Sequence, residues 1–236
     1  MWFVDRYSFL SAERRTLTVG RDYVHLNLEL DHVDRWEAEW RAQGRTVVEL
    51  PPVDVNEKLS RHYTVKPSVA FTRTMLWDME VRKALEPDRY IPSVVMPGSV
   101  QKWDRDIDGP RERFVRVSEQ RLWTDPSRFN LVIEAVYLDH DRQTALFIGL
   151  PKLEPGDGRQ LHAGTDQPLF YVEHSVDGTE RRPLNLWRIV HLTESVDSQM
   201  LRVFEQMGTE VWLREFVEVY IRDDLGARLE RERLEG

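Results

Sequence analysis

The stretch LFYVEHSVDGTERRPLNLWRIVHL, Leu169 to Leu192, decides the fold. Phe170, Val172, His174 and Val176 share one parity, and Tyr171 and Glu173 take the other, the period of two that belongs to a strand. Asp177-Gly178 is a hairpin signal, and Leu184 to Thr193 then repeats the alternation. Leu186, Arg188, Val190 and Leu192 fall on one side of this second strand, Trp187 and His191 on the other. The two strands are expected to be antiparallel neighbours.

Four more β-like runs precede them: Ser93–Trp103, Arg113–Trp123, Leu131–Asp139 and Ala145–Leu150. Turn signals such as Asp108-Gly109-Pro110, Asp125-Pro126 and Asp139-His140-Asp141 separate them. His62 to Phe71 reads as an edge strand, because Pro67 removes a ladder donor. Met75 to Leu85 reads as a short helix with Leu76, Met79 and Lys83 at helical spacing. After the last strand, Ser195 or Asp197 can cap a helix expected to run to about Arg233. Met200, Phe204, Met207, Val211, Phe216, Val217 and Tyr220 form its apolar stripe.

This order predicts an α+β fold: a curved antiparallel sheet wrapped on a long C-terminal helix. A helix held in a curved sheet cannot fill the concavity, so a pocket is expected between them. The first 58 residues stand apart. Strand-like runs within 16–30, a helix through Trp36 and Trp40 that Gly44 stops, and the strand RTVVEL suggest a strand–helix–strand extension or subdomain over 1–58. Pro51-Pro52 and the polar VDVNEKLSR read as a linker into a ligand-binding domain over 59–236.

Composition narrows the function classes. The chain has 236 residues, 41% of them hydrophobic, with eight Trp and no Cys. That excludes disulfides, thiolate zinc sites and a Cys nucleophile, and fits a reducing compartment. No apolar run approaches the roughly 20 residues of a membrane span, and the first residues lack a signal-peptide pattern, so a cytoplasmic protein is expected. A net charge of −8 argues against nucleic acid as a partner. No P-loop, GxGxxG, GxSxG or HExxH pattern occurs, and no cofactor or metal is expected. Asp139-His140-Asp141 carries three metal-ligand types, but in a turn that favours such residues for local hydrogen bonds.

The segment TMLWDMEVRKALEPDRYIPSVV, Thr74 to Val95, resembles the early part of the START-like helix-grip superfamily, which includes lipid-transfer domains and polyketide cyclases/aromatases. Leu76-Trp77-Asp78 and Tyr90-Ile91-Pro92 carry the likeness, and WLREFVEVYIRDDLGARL resembles the closing helix. The resemblance covers residues 60 to 230. It implies a cavity, a hydrophobic or aromatic ligand, and in some members cyclisation or dehydration.

Three ionisable residues in apolar strands are candidates for chemistry. Glu134 lies between Val132 and Val136 on its face. Facing a pocket it would be a desolvated general acid or base; facing outward it would pair with a cross-strand Arg, the more ordinary outcome. An inward Arg188 would hold a carboxylate or enolate, while the plain reading is an ion pair with Glu134 or Glu173. His174 would move a proton beside a pocket, or serve as a hydrogen-bonded structural residue. Trp77, Tyr137, Phe170, Tyr171, Val172, Met207 and Trp212 are the expected ligand contacts. The function expected is binding a hydrophobic polycyclic or polyketide-derived molecule and assisting its cyclisation or dehydration in bacterial secondary metabolism. The alternative is a non-catalytic carrier or sequestering protein. A third reading makes the N-terminal segment a homodimer interface.

Overall fold

The structure, a computed structural model, describes residues 32–232. The strands expected within 16–30 lie outside the described residues. Seven strands make one curved antiparallel sheet: β1 (Thr46–Asp54), β3 (Gln101–Asp108), β4 (Arg111–Arg121), β5 (Phe129–Asp139), β6 (Thr144–Gly149), β9 (Phe170–Thr179) and β10 (Arg182–His191). Their order is β1-β10-β9-β6-β5-β4-β3. Two small sheets accompany it, β2 (Tyr63–Lys66) with β11 (Arg228–Arg231), and β7 (Lys152–Leu153) with β8 (Leu161–His162).

The hairpin read from Leu169–Leu192 forms, with Leu184 opposite Asp177 and Trp187 opposite His174. Its turn is three residues later than expected, at Glu180-Arg181. Gly178 sits in the strand with φ of 80°, where a Cβ would collide with the Arg182 carbonyl oxygen.

Both faces of the sheet are covered. On one, α3 (Arg73–Leu85), α5 (Ser198–Gly208) and α6 (Glu215–Val219) enclose a core with Phe114, Val136, Phe147, Val172 and Ile189. On the other, α1 (His32–Arg41) lays Trp36 against Tyr137, Tyr171 and Val190. The expected helix through Trp36 and Trp40 is therefore a cover for the sheet's second face. The two indoles stack with centroids 5.6 Å apart.

Several expectations need correction. The segment read as part of a separate N-terminal piece is, over 46–54, the edge strand β1, hydrogen-bonded along β10. The expected linker is a helix, α2 (Val55–His62), because Asp54 caps it by accepting from Glu57 N at 3.0 Å. The strand expected from Ser93 begins only at Gln101; Pro97-Gly98 turns the chain first, and a single bridge joins Val95 to Gln120. A four-residue helix, α4 (Pro87–Tyr90), follows α3.

The long C-terminal helix is broken. Asp197 caps α5 as expected, but residues 209–214 leave helical geometry before α6 and a π-helical turn, Tyr220–Asp224. Other groups hold the backbone there. Lys58 Nζ donates to the carbonyls of Glu210 and Trp212, and Tyr63 Oη accepts from Leu213 N at 2.7 Å. The end expected to finish the helix is strand β11. Among the described residues no helix is long and apolar enough to cross a membrane.

Candidate functional site

The helices leave a two-lobed cavity against the sheet. The inner lobe, about 100 Å³, is walled by Trp123, Phe147, Phe170, Val172 and Ile189 and reached by Lys83, Arg116, Glu134 and His174. The outer lobe, about 280 Å³, lies between Pro51, Val53 and the broken helix, with Trp212 and Arg214 in its wall. Ile91, Val94, Trp187 and Met207 line both lobes and form the partition.

Alternation decides which strand residues reach this space. On β9, Phe170, Val172 and His174 face it; on β10, Trp187 and Ile189 do. On β5 and β4, Glu134 and Arg116 stand directly opposite in register and both point inward. Arg116 Nε donates to Glu134 Oε2 at 2.8 Å, and its Nη1 donates to the Ala84 carbonyl at 2.7 Å. The cross-strand pairing expected for an outward Glu134 thus forms inside the cavity.

The second polar group comes from α3. Glu80 and Lys83 lie three apart on the face that also carries Leu76 and Met79, so folding buries them together. They form an ion pair. His174 Nδ1 stands 2.6 Å from Lys83 Nζ and 3.1 Å from Glu80 Oε2, and Asn185 Nδ2 donates to Glu80 Oε1 at 2.8 Å. While Lys83 is charged, Nδ1 accepts from the ammonium and the ring proton stays on Nε2.

Electrostatics fix the charge state of this trio. Burial alone would raise Glu80, but the charges of Lys83 and His174 outweigh it and hold the carboxyl well below its ordinary range. Burial pulls Lys83 down to about 8, with Glu80 opposing. Burial, then the neighbouring ammonium, depress His174 far below a free imidazole. Near neutral pH the set is a carboxylate, an ammonium and a neutral imidazole. It can hold or pass one proton at the wall of an apolar chamber.

Aromatic stacking holds the trio in place. The His174 ring lies against Trp187, and Lys83 Nζ sits 3.8 Å from the centroid of Phe216. Phe216 stacks in turn on Trp187 at 5.8 Å. On the outer side, Arg214 Cζ lies 4.2 Å from the Trp187 centroid.

The expected site residues divide by face. Glu134, His174, Phe170, Val172 and Met207 line the inner lobe, and Met207 and Trp212 the outer. Arg188 does not reach the cavity. It points to the opposite face, donates to Glu173 at 2.9 and 2.5 Å, and lies over Trp36 and Trp40. Tyr137 and Tyr171 share that face; His32 stacks on Tyr137, and Arg35 donates to Tyr171 Oη at 2.7 Å. Trp77 is spent on structure: its Nε1 donates to His140 Nδ1 at 3.1 Å, tying α3 to the β5–β6 turn. In that turn Asp139 accepts from Arg142 N at 2.9 Å. Among the described residues no group of three or more His, Asp or Glu could hold a metal ion.

Glu80, Lys83, Arg116, Asn185, Trp187 and Arg214 are site residues that the strand patterns alone do not single out. One signal was present: a Glu and a Lys on the apolar face of the Met75–Leu85 helix.

The architecture is α+β, a curved antiparallel sheet of seven strands with helices against it and a cavity between. Among solved structures the chain is similar to the Zhui aromatase/cyclase from Streptomyces sp. R1128, at 13% identity and TM-score 0.45, covering 75% of this chain and 95% of that one. It is similar to Ara h 8.0201 at 10% identity and TM-score 0.45, covering 75% and 98%. TTHA0849 from Thermus thermophilus matches at 11% identity and TM-score 0.36, over 75% and 98%. No family model and no curated protein sequence matches the chain.

Proposed function

We propose that this protein binds an apolar, ring-containing small molecule, polycyclic or polyketide-derived, in the two-lobed cavity and assists its cyclisation or dehydration in bacterial secondary metabolism. One observation carries the reading: a chamber walled by Trp123, Phe147, Phe170 and Trp187 is reached by Lys83 and His174, which the buried Glu80 holds from behind. Aromatic walls favour planar rings. The ring N–H of His174 can donate to a developing enolate oxygen, and Lys83, whose pKa burial brings to about 8, can take up and return the proton that ring closure or loss of water moves. Confinement supplies the rest by holding reacting carbons close.

A carrier without turnover is the second reading. It is favoured by the pairing of both inner cations, Lys83 with Glu80 and Arg116 with Glu134, as in a purely structural interior. Incubation with aromatic polyketide intermediates, followed by mass spectrometry of ligand and product, separates the two. Turnover that falls at least about a hundredfold in His174→Ala, with binding retained, supports catalysis. Saturable binding of unchanged ligand supports the carrier. Absence of binding to any such ligand sinks both.

A further inference from the structure

The outer lobe contains an unanswered cation. Three basic side chains line it, and two are engaged: Lys58 with the carbonyls of Glu210 and Trp212, and Arg231 with Glu218 through Nε at 2.8 Å. The lobe's carboxylates are also occupied. Glu215 accepts from Ser93 Oγ at 2.5 Å, and Glu210 Oε1 accepts from Trp212 N at 3.2 Å. Arg214 has neither kind of partner. It makes no ion pair among the described residues, and its buried Nε has no hydrogen-bond acceptor.

A guanidinium partly withdrawn from water, with no carboxylate in direct contact, is costly unless something else supplies the acceptors. Its contact with Trp187 answers the face of the cation and leaves the buried in-plane Nε–H unsatisfied. Burial lowers Arg214 to about 10, with Glu80 opposing, so it stays charged at neutral pH.

We propose that Arg214 receives a carboxylate on the bound molecule, which makes the ligand an aromatic or polycyclic carboxylic acid. This rests on the cavity-binding reading above. The planar fork donates parallel N–H groups to the two carboxylate oxygens. Trp187 and Met207 wall the outer lobe, so an acid held at Arg214 lays its ring system against the indole and Met207, with Lys83 and His174 on the far side of that partition.

The test compares 2-naphthaleneacetic acid with its uncharged methyl ester, by calorimetry at pH 7.5, on the wild-type chain, R214Q and R214K. The wild type should bind the acid at least about tenfold more tightly than the ester, the scale of a charge-assisted pair. R214Q should bind the two equally while keeping ester affinity within about twofold. An acid no tighter than its ester in the wild type overturns the assignment, as does a preference that survives in R214Q. If R214Q loses the ester too, R214K decides. A preference cut by at least about threefold supports the Arg214 receptor, because an ammonium lacks the fork, and an unchanged preference overturns it. Failure of the wild type to bind either compound, or any aromatic ligand, overturns the cavity reading and this assignment with it.

Discussion

His174 and Trp187 lie face to face, 4.1 Å between ring centroids and 6° from parallel, because β9 and β10 place them directly opposite. The indole seals one side of the imidazole from water and helps keep it neutral. Trp187→Ala should let the His174 pKa climb toward the ordinary imidazole range, seen in an NMR titration of its ring protons. The same change removes the partition between the lobes and should cost about 3 kcal/mol of stability in urea unfolding.

The Arg116–Glu134 pair is buried on both sides, with side chains 6% and 3% exposed. Glu134→Gln leaves a buried guanidinium without its counter-charge and should destabilise by roughly 3–5 kcal/mol. Replacing both, as Arg116→Met with Glu134→Leu, should restore most of that loss in the same unfolding assay. A single variant as stable as the wild type would contradict the buried pairing.

Arg188 serves the second face of the sheet, so its removal should separate stability from binding. Arg188→Ala loses the bidentate pair with Glu173 and the cover over Trp36 and Trp40. A lower unfolding midpoint with naphthaleneacetate affinity within about twofold is expected. A large loss of affinity in a fully folded variant would place Arg188 in the binding machinery after all.

Acid should weaken the fold through His191. Both of its ring nitrogens are buried without a hydrogen-bond partner among the described residues, and burial lowers its pKa to about 4. The unfolded chain takes up this proton near pH 6.5. Between those values the unfolded state binds more protons, so stability falls as pH drops from 6.5 to 4 and this contribution is flat below. Its size is about 3 kcal/mol, and the depression of His174 acts in the same direction. His191→Leu should be more stable than the wild type at pH 4.5, with the gap narrowing by pH 7.5 in parallel unfolding curves.

The sheet was largely legible because alternation is a local property. Val132, Glu134 and Val136 share a face in the sequence and in the structure, and the β9–β10 hairpin follows from its own residues. Which face holds the cavity was not legible. Tyr171, Val190 and Ile148 on one side are as apolar as Val172, Ile189 and Phe147 on the other, since α1 buries the second face. That ambiguity sent Arg188, Tyr137 and Tyr171 to the wrong side. The broken C-terminal helix was hidden for a different reason. Its apolar spacing continues through Val211, whereas the break depends on Lys58 and Tyr63, some 150 residues away.

That break has a consequence for how the protein can diversify. Residues 209–214 form one wall of the outer lobe yet belong to no sheet ladder, held mainly by Lys58 and Tyr63. Changes of length or side chain there can reshape the chamber's mouth while both cores stay intact. Selection on what the chamber admits would therefore act first on six residues of loop, with the curved wall of strands inherited unchanged.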